Sequence, residues 1–181
     1  SFDICEGIAS AAGSLPQRES LDNIAYLANF SIGQGELLLS PTAMLTLYCA
    51  AAYDGSYALP TAVAGTLAGG KLTPAAERGR TRVMTAGTAK KLREYLSAVI
   101  TEGTGKAAAP KTVSAAGKTA TAQTGRYENG KEICEGWFCG FFPAEEPQYT
   151  VIVFSENTEK QTKSCAEIFA AIADRLSEKD N

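Results

Sequence analysis

The chain has 181 residues, 45% of them hydrophobic, and a net charge of 17 − 20 = −3. These values are typical of one globular domain, and the absence of a long basic run argues against a nucleic-acid-binding surface. The sequence contains no histidine, which excludes Ser-His-Asp and Cys-His catalysis and H-E-x-x-H zinc sites within this chain. No apolar stretch reaches the roughly 18 residues that span a bilayer, and the first residues show no signal-peptide pattern.

The first part of the chain has helical patterns. Ser20 is expected to cap a first helix, which ends near Gly33 because glycine permits conformations that other residues avoid. A second helix is expected to start at Ser40 and Pro41, since serine caps well and proline suits the first helical position. Its apolar side chains recur every 3.6 residues up to Asp54.

The middle of the chain is predicted to contain one further helix. Residues 57–65 are interpreted as a short extended segment, and residues 66–87, rich in glycine, threonine and charge, as a surface loop. The apolar stripe over residues 88–101 indicates an amphipathic helix that Gly103 can end. Residues 1–105 are therefore expected to be mainly helical.

Residues 106–181 are predicted to form a strand meander closed by a helix. The three strands cover about residues 113–123, 133–142 and 148–155, and the last two are apolar on both faces, as in a sheet covered on both sides. The closing helix covers about residues 164–177 and begins with a capping box of Ser164 and Glu167. The order predicts an α+β fold within a single domain, with an antiparallel sheet and packed helices.

Five cysteines occur at irregular spacing. Their odd number is not typical of a disulfide framework, and apolar helical patterns around Cys49 and Cys165 suit buried free thiols. We predict that the cysteines are structural and that the chain needs neither a metal nor another cofactor. The five are Cys5, Cys49, Cys134, Cys139 and Cys165.

The strand over residues 113–123 is unusual because polar side chains alternate with small ones. Strand alternation places Thr119 and Thr121 on one face, and their small neighbours leave room beside the backbone. Such a strand could bind an extended peptide by strand addition, with Lys118 and the two hydroxyls holding its terminal carboxylate. The alternative is a solvated edge strand on which the lysine discourages aggregation.

A phosphate-binding loop is a second alternative, because Gly117-Lys118-Thr119 matches the core of that motif. The motif also needs a small residue where Thr112 stands, and a helix directly after the lysine. The residues after Thr119 alternate like a strand instead. Nucleotide binding is therefore disfavoured.

The segment Gly117-Lys118-Thr119-Ala120-Thr121 resembles the Lys-Thr-Gly signature of penicillin-binding proteins. Other segments are similar to the landmarks of that family and occur in the same order, and the Ala-Gln pair after Thr121 resembles the class B branch. These segments are Gly33-Gln34-Gly35, Ser40-Pro41-Thr42, Ala52-Tyr53-Asp54-Gly55, Glu102-Gly103-Thr104-Gly105 and Gly136-Trp137-Phe138. The chain is identified as the C-terminal part of a class B transpeptidase domain, with part of the fold shared by serine transpeptidases and β-lactamases.

The resemblance implies a D,D-transpeptidase that cross-links peptidoglycan stem peptides ending in D-Ala-D-Ala and is acylated by β-lactams. It implies that Lys118, Thr119 and Thr121 bind the substrate carboxylate, and that the backbone N–H of Thr121 contributes to the oxyanion hole. Ala120 stands where the family usually has glycine; its methyl group should point away from the threonine face and be tolerated. The implied location is the outer face of a bacterial cytoplasmic membrane, reached through an anchor outside this chain, among cell-wall synthesis proteins.

The family nucleophile, the serine of a Ser-x-x-Lys motif, has no counterpart here, because no serine has lysine three residues later. Ser155-Glu156-Asn157 matches the second signature, Ser-x-Asn, but follows the Lys-Thr strand and is interpreted as a turn. The chain alone is therefore expected to be inactive. A non-catalytic penicillin-recognising or peptidoglycan-sensing domain on the same fold is the alternative, and the sequence upstream would discriminate. A missing helical half would also expose apolar surface and favour self-association.

Overall fold

The computed structural model describes residues 3–5, 8–76 and 78–179. These residues belong to two compact units, one formed by the residues up to 46 together with 58–80, the other by residues 47–57 together with those from 81 onward. The helices are α1 (Ile24–Ser31), α2 (Pro41–Ala52), α3 (Ala86–Thr101) and α4 (Cys165–Ser177). The strands are β1 (Asp3–Cys5), β2 (Ile8–Ala9), β3 (Ser56–Ala58), β4 (Gly65–Ala68), β5 (Lys71–Pro74), β6 (Arg80–Arg82), β7 (Ala116–Glu128), β8 (Lys131–Phe142) and β9 (Tyr149–Ser155).

The first two helices begin at side-chain caps. Helix α1 is capped by Asn23, whose Oδ1 accepts hydrogen bonds from the backbone N–H of Ala25 at 3.0 Å and Tyr26 at 3.3 Å. The prediction that Ser20 caps this helix was wrong, because asparagine caps as well as serine and stands next to the helical residues. Helix α2 begins as predicted, with Ser40 Oγ accepting from the N–H of Ala43 at 3.2 Å.

The segment predicted as a surface loop contains strands. Strands β4 and β5 pair antiparallel with Leu67 opposite Leu72, and β6 pairs with β3. Gly69 and Gly70 make the hairpin turn with φ angles of 57° and 76°, which glycine adopts without steric cost. The prediction of a surface loop was wrong because it rested on the two glycines as loop-forming residues. A Gly-Gly pair between two short extended segments is also a hairpin signal.

The second unit is built on the antiparallel sheet β7-β8-β9. Phe138 and Phe142 of β8 pack against Phe169 of α4, with ring centroids 4.5 Å and 5.9 Å apart. On the other face, Phe141 lies in a cluster with Tyr48 of α2 and Leu96 of α3. The sheet is thus covered on both faces, which explains the apolar character of β8 on both sides.

The α+β prediction of an antiparallel sheet with packed helices is confirmed. Helix α4 has the predicted capping box, since Ser164 Oγ accepts from the N–H of Glu167 while the Glu167 carboxylate accepts from the N–H of Ser164. Strand β7 extends beyond its predicted end to a tight hairpin at Asn129 and Gly130, whose φ angles are 52° and 78°. None of the described helices has the length and apolar character needed to cross a membrane.

The cysteines that the structure describes in full are all free thiols. They are Cys49, Cys134, Cys139 and Cys165, whereas the side chain of Cys5 lies outside the described part of the chain. Burial raises the pKa of the Cys139 thiol to about 12. Because a thiol is nucleophilic only as the thiolate, Cys139 stays protonated and unreactive at neutral pH.

Candidate functional site

Strand β7 lies at one edge of its sheet. Residues 116–123 of β7 pair with β8, so that Ala116 lies opposite Phe141 and Gln123 lies opposite Cys134. Strand β8 pairs with β9 on its other side. Among the described residues, no strand pairs with the second edge of β7. An unpaired strand edge presents backbone N–H and C=O groups that can pair with another extended chain.

The pairing register decides which side chains of β7 share a face. Thr119 lies opposite Phe138, which packs on α4, so Thr119 and Thr121 belong to the face of the sheet that α4 covers. Lys118 and Ala120 alternate with them and belong to the opposite face. The methyl group of Ala120 therefore points away from the two threonine hydroxyls, as strand alternation predicts.

Lys118 is an exposed cation that folds back along its own strand. Its Nζ donates to the backbone oxygen of Thr119 at 2.7 Å and lies 3.3 Å from Thr119 Oγ1. None of the ion pairs found between described residues includes Lys118. Its charge is therefore not neutralised by a neighbouring carboxylate of the described chain, and an anionic ligand could supply the missing partner.

A second hydroxyl reaches Thr119 from the turn after α3. The Oγ1 of Thr104 lies 3.4 Å from the Oγ1 of Thr119. In the sequence, Thr104 stands out only as part of the family landmark of residues 102–105, and no pattern assigns it to the site. The signal that was present is the Gly-Thr-Gly pattern of residues 103–105, which indicates a closely packed turn.

A groove of about 310 Å³ runs beside the threonine face of β7. Its floor includes Gly136, where an added Cβ atom would lie 2.8 Å from Thr158 Cγ2 and 3.3 Å from Cys165 Sγ. The missing side chain thus allows the segment between β9 and α4 to approach the sheet and form the far wall. The lining residues are Thr119, Ala120, Thr121, Gly136, Trp137, Thr158, Gln161, Thr162, Lys163, Ser164, Cys165 and Ala166.

The chemistry of this groove suits a polar or anionic ligand. The lining residues include Thr119, Thr121 and Lys163, and none of the lining residues in the described part of the chain is Asp or Glu. A second groove, at the β7–β8 hairpin, differs because it is lined by both signs of charge. There Lys131 pairs with Glu159 at 3.1 Å and Lys160 with Glu128 at 2.9 Å, so both of its lysines already have a carboxylate partner.

Other residues singled out in the sequence have structural surroundings. Trp137 is half-buried, with its ring centroid 4.4 Å from that of Phe154, and it also borders the groove. Arg126 lies 4.0 Å from the carboxylate of Glu135, and Tyr127 is 68% exposed.

Two further segments form turns. Gln34 belongs to the turn that ends α1, where its N–H donates to the backbone oxygen of Asn29 at 3.0 Å. Ser155 ends β9, and its Oγ donates to the backbone oxygen of Asn157 at 3.3 Å. Asn157 caps the following 3₁₀ helix by accepting from the N–H of Glu159. The interpretation of residues 155–157 as a strand-to-turn segment is consistent with these contacts.

Comparison with known proteins identifies the family. Residues 6–174 match the family model of the penicillin binding protein transpeptidase domain. The chain is 28% identical to penicillin-binding protein PbpB of Mycolicibacterium smegmatis over 94% of its length, and 31% identical to peptidoglycan D,D-transpeptidase MrdA of Acinetobacter baumannii over 70%. It spans 28% and 21% of the length of these two relatives.

A solved structure agrees with this family. The transpeptidase domain of Burkholderia pseudomallei penicillin-binding protein 3 superposes with a TM-score of 0.75 at 26% identity, over 96% of this chain and 52% of that one. The chain belongs to the penicillin-binding protein transpeptidase domain family, and the class B assignment made from its motifs is confirmed.

Proposed function

We propose that this chain contributes the substrate-binding strand of a D,D-transpeptidase that cross-links peptidoglycan stem peptides ending in D-Ala-D-Ala and is acylated by β-lactams. The observation that carries the proposal is the ammonium group of Lys118, which lies beside the hydroxyl of Thr119 and forms no ion pair with a described residue. It stands on a strand edge with which no described strand pairs. The groove along Thr119 and Thr121, whose described lining residues include no Asp or Glu, supports the same ligand class.

The proposed binding mode follows from the strand. The stem peptide extends along the second edge of β7, and its terminal carboxylate accepts hydrogen bonds from Lys118, Thr119 and Thr121. The backbone N–H of Thr121 then faces the carbonyl under attack and stabilises the negative charge that develops on its oxygen. β-Lactams carry a carboxylate next to a reactive amide carbonyl, so the same groups would bind them.

The proposed nucleophile is a serine of a Ser-x-x-Lys motif outside this chain. Its hydroxyl would attack the carbonyl of the penultimate D-Ala, form an acyl-enzyme and release the last D-Ala with the serine proton transferred to its amine. The amine of a second stem peptide would then attack the acyl-enzyme, forming the cross-link and returning a proton to the serine. In this proposal the protein works at the extracytoplasmic face of the cell membrane, with other cell-wall synthesis proteins as partners.

Covalent labelling with a fluorescent penicillin tests the function. We expect the full-length protein that carries this chain to be labelled at a serine outside these residues, and the isolated chain to remain unlabelled. Preincubation with unlabelled benzylpenicillin should block the labelling. Labelling of the isolated chain would refute the assignment of the nucleophile to another segment.

The alternative is a penicillin-recognising or peptidoglycan-sensing domain without catalysis, since fold alone does not determine function. The observation that favours it is the absence of a Ser-x-x-Lys motif from this chain. A folded full-length protein that binds stem peptide reversibly but is never acylated would support this alternative. Self-association through exposed apolar side chains stays a prediction for the isolated chain, to be measured by light scattering.

Replacing Ala120 with glycine is expected to change the second-order rate constant of acylation by less than about twofold. The methyl group belongs to the face opposite the two hydroxyls, so its removal takes no hydrogen-bonding group from the groove that Ala120 borders. The free energy of unfolding should fall by about 0.5–1 kcal/mol, because glycine gains more backbone entropy on unfolding. A large gain in acylation rate for Ala120→Gly would show that the methyl group obstructs the site.

A further inference from the structure

We propose that Thr104 is a positioning residue that fixes the direction of the Thr119 hydroxyl proton and so makes Thr119 a hydrogen-bond donor to the ligand carboxylate. The inference deepens the proposed function and rests on it. It starts from the 3.4 Å approach of the two Oγ1 atoms and from the contact between Lys118 and Thr119.

The turn that carries Thr104 is closely packed against the end of α3. The N–H of Gly103 donates to the backbone oxygen of Ala98 at 3.0 Å, and that of Gly105 to the backbone oxygen of Val99 at 2.9 Å. A Cβ atom added to Gly103 would lie 2.9 Å from Val99 Cα, and one added to Gly105 would lie 2.9 Å from Val99 Cγ1. The turn therefore holds the backbone of Thr104 from both sides, which places its hydroxyl within 3.4 Å of Thr119 Oγ1.

Either hydroxyl can be the donor across the 3.4 Å contact, and the proposal takes Thr104 as the donor to Thr119. A hydroxyl group has one proton to donate and two lone pairs to accept. The ammonium group of Lys118 can only donate, so it occupies one lone pair of Thr119 Oγ1. If Thr104 donates to the second lone pair, the Thr119 proton has no acceptor within this group of three residues. It is then directed to a carboxylate, which can only accept.

The test uses the full-length protein and separates reversible binding from acylation. Thr104→Val keeps the side-chain shape but removes the hydroxyl. We expect the dissociation constant for the reversible step with benzylpenicillin to rise about three- to tenfold, which corresponds to one hydrogen bond. The rate constant of the acylation step should change by less than about twofold. Thr104→Ser, which keeps a hydroxyl, should restore binding, and Thr104→Ala should weaken it as valine does.

Two further measurements distinguish positioning from a merely structural role. The Thr104→Val effect should disappear for the methyl ester of benzylpenicillin, which offers no carboxylate, and in a Thr119→Val background, where no hydroxyl remains to be directed. Thr101→Val is the matched control, because the Thr101 hydroxyl donates to the backbone oxygen of Ser97 within α3 at 3.3 Å. This variant should bind benzylpenicillin like the unmodified protein.

The outcomes are distinct. Unchanged binding by Thr104→Val, or equal losses for the acid and its ester, would overturn the role of Thr104 while leaving the proposed function intact. Failure of the unmodified protein to react with benzylpenicillin would instead count against the proposed function. A carboxylate-dependent loss that serine restores would support the proposal.

Discussion

Replacing Lys118 with alanine is expected to lower the second-order rate constant of acylation by benzylpenicillin about 10- to 100-fold in the full-length protein. A hydrogen bond to a charged group contributes about 1.5–3 kcal/mol, and every 1.4 kcal/mol or so corresponds to a factor of ten. The loss should shrink for the methyl ester of the ligand, because the removed interaction is with the carboxylate. Stopped-flow acylation kinetics would measure both rate constants.

The controls for Lys118 come from the same sheet. Lys131 of β8 is exposed, does not line the groove beside Thr119 and Thr121, and pairs with Glu159 at an N–O distance of 3.1 Å. The substitution Lys131→Ala therefore removes an equal charge without touching the site. It should leave acylation unchanged, because an exposed pair contributes little. Lys118→Arg keeps the charge but replaces a compact ammonium group with a planar one, and we expect an intermediate rate. Equal rates for Lys118→Ala and the unmodified protein would contradict the role of Lys118.

The sequence predicted the parts of the fold that rest on local patterns. The capping box of α4 and the cap of α2 depend on residues three positions apart, and both formed as expected. Strand β8 was recognisable because an apolar run on both faces needs cover on both sides. The end of β7 was placed too early, although the Asn129-Gly130 pair is a hairpin signal that could have corrected it.

The surroundings of the candidate site could not be read from the sequence in the same way. Lys118, Thr119 and Thr121 stood out because polar residues interrupt an apolar context. The contact of Thr104 with Thr119 joins residues 15 positions apart, and no periodicity encodes it. The groove likewise depends on how closely Thr158 approaches Gly136, which tertiary packing determines. Local chemistry therefore indicated the strand, whereas the groups that orient it required coordinates.

Replacing Phe169 with alanine is expected to destabilise the sheet unit by about 3–5 kcal/mol, the usual cost of removing a buried phenylalanine. Phe169 is fully buried and contacts both Phe138 and Phe142. The sequence has a single tryptophan, Trp137, which lies in β8 of the same sheet. Its fluorescence during guanidinium unfolding of the chain would therefore report the loss directly. Tyr127→Ala, at an aromatic residue that is 68% exposed, is the control and should cost less than about 1 kcal/mol.

The same substitution links the core to the site. Phe169 supports Phe138, and Phe138 lies directly opposite Thr119 in the β7–β8 pairing. A cavity beneath Phe138 would allow β8 to shift and would carry Thr119 with it, since cores relax into part of the space that a truncation leaves. We therefore expect Phe169→Ala to slow acylation by benzylpenicillin even at temperatures where the full-length protein stays folded. An unchanged acylation rate together with the full loss of stability would show that β7 keeps its position without this support.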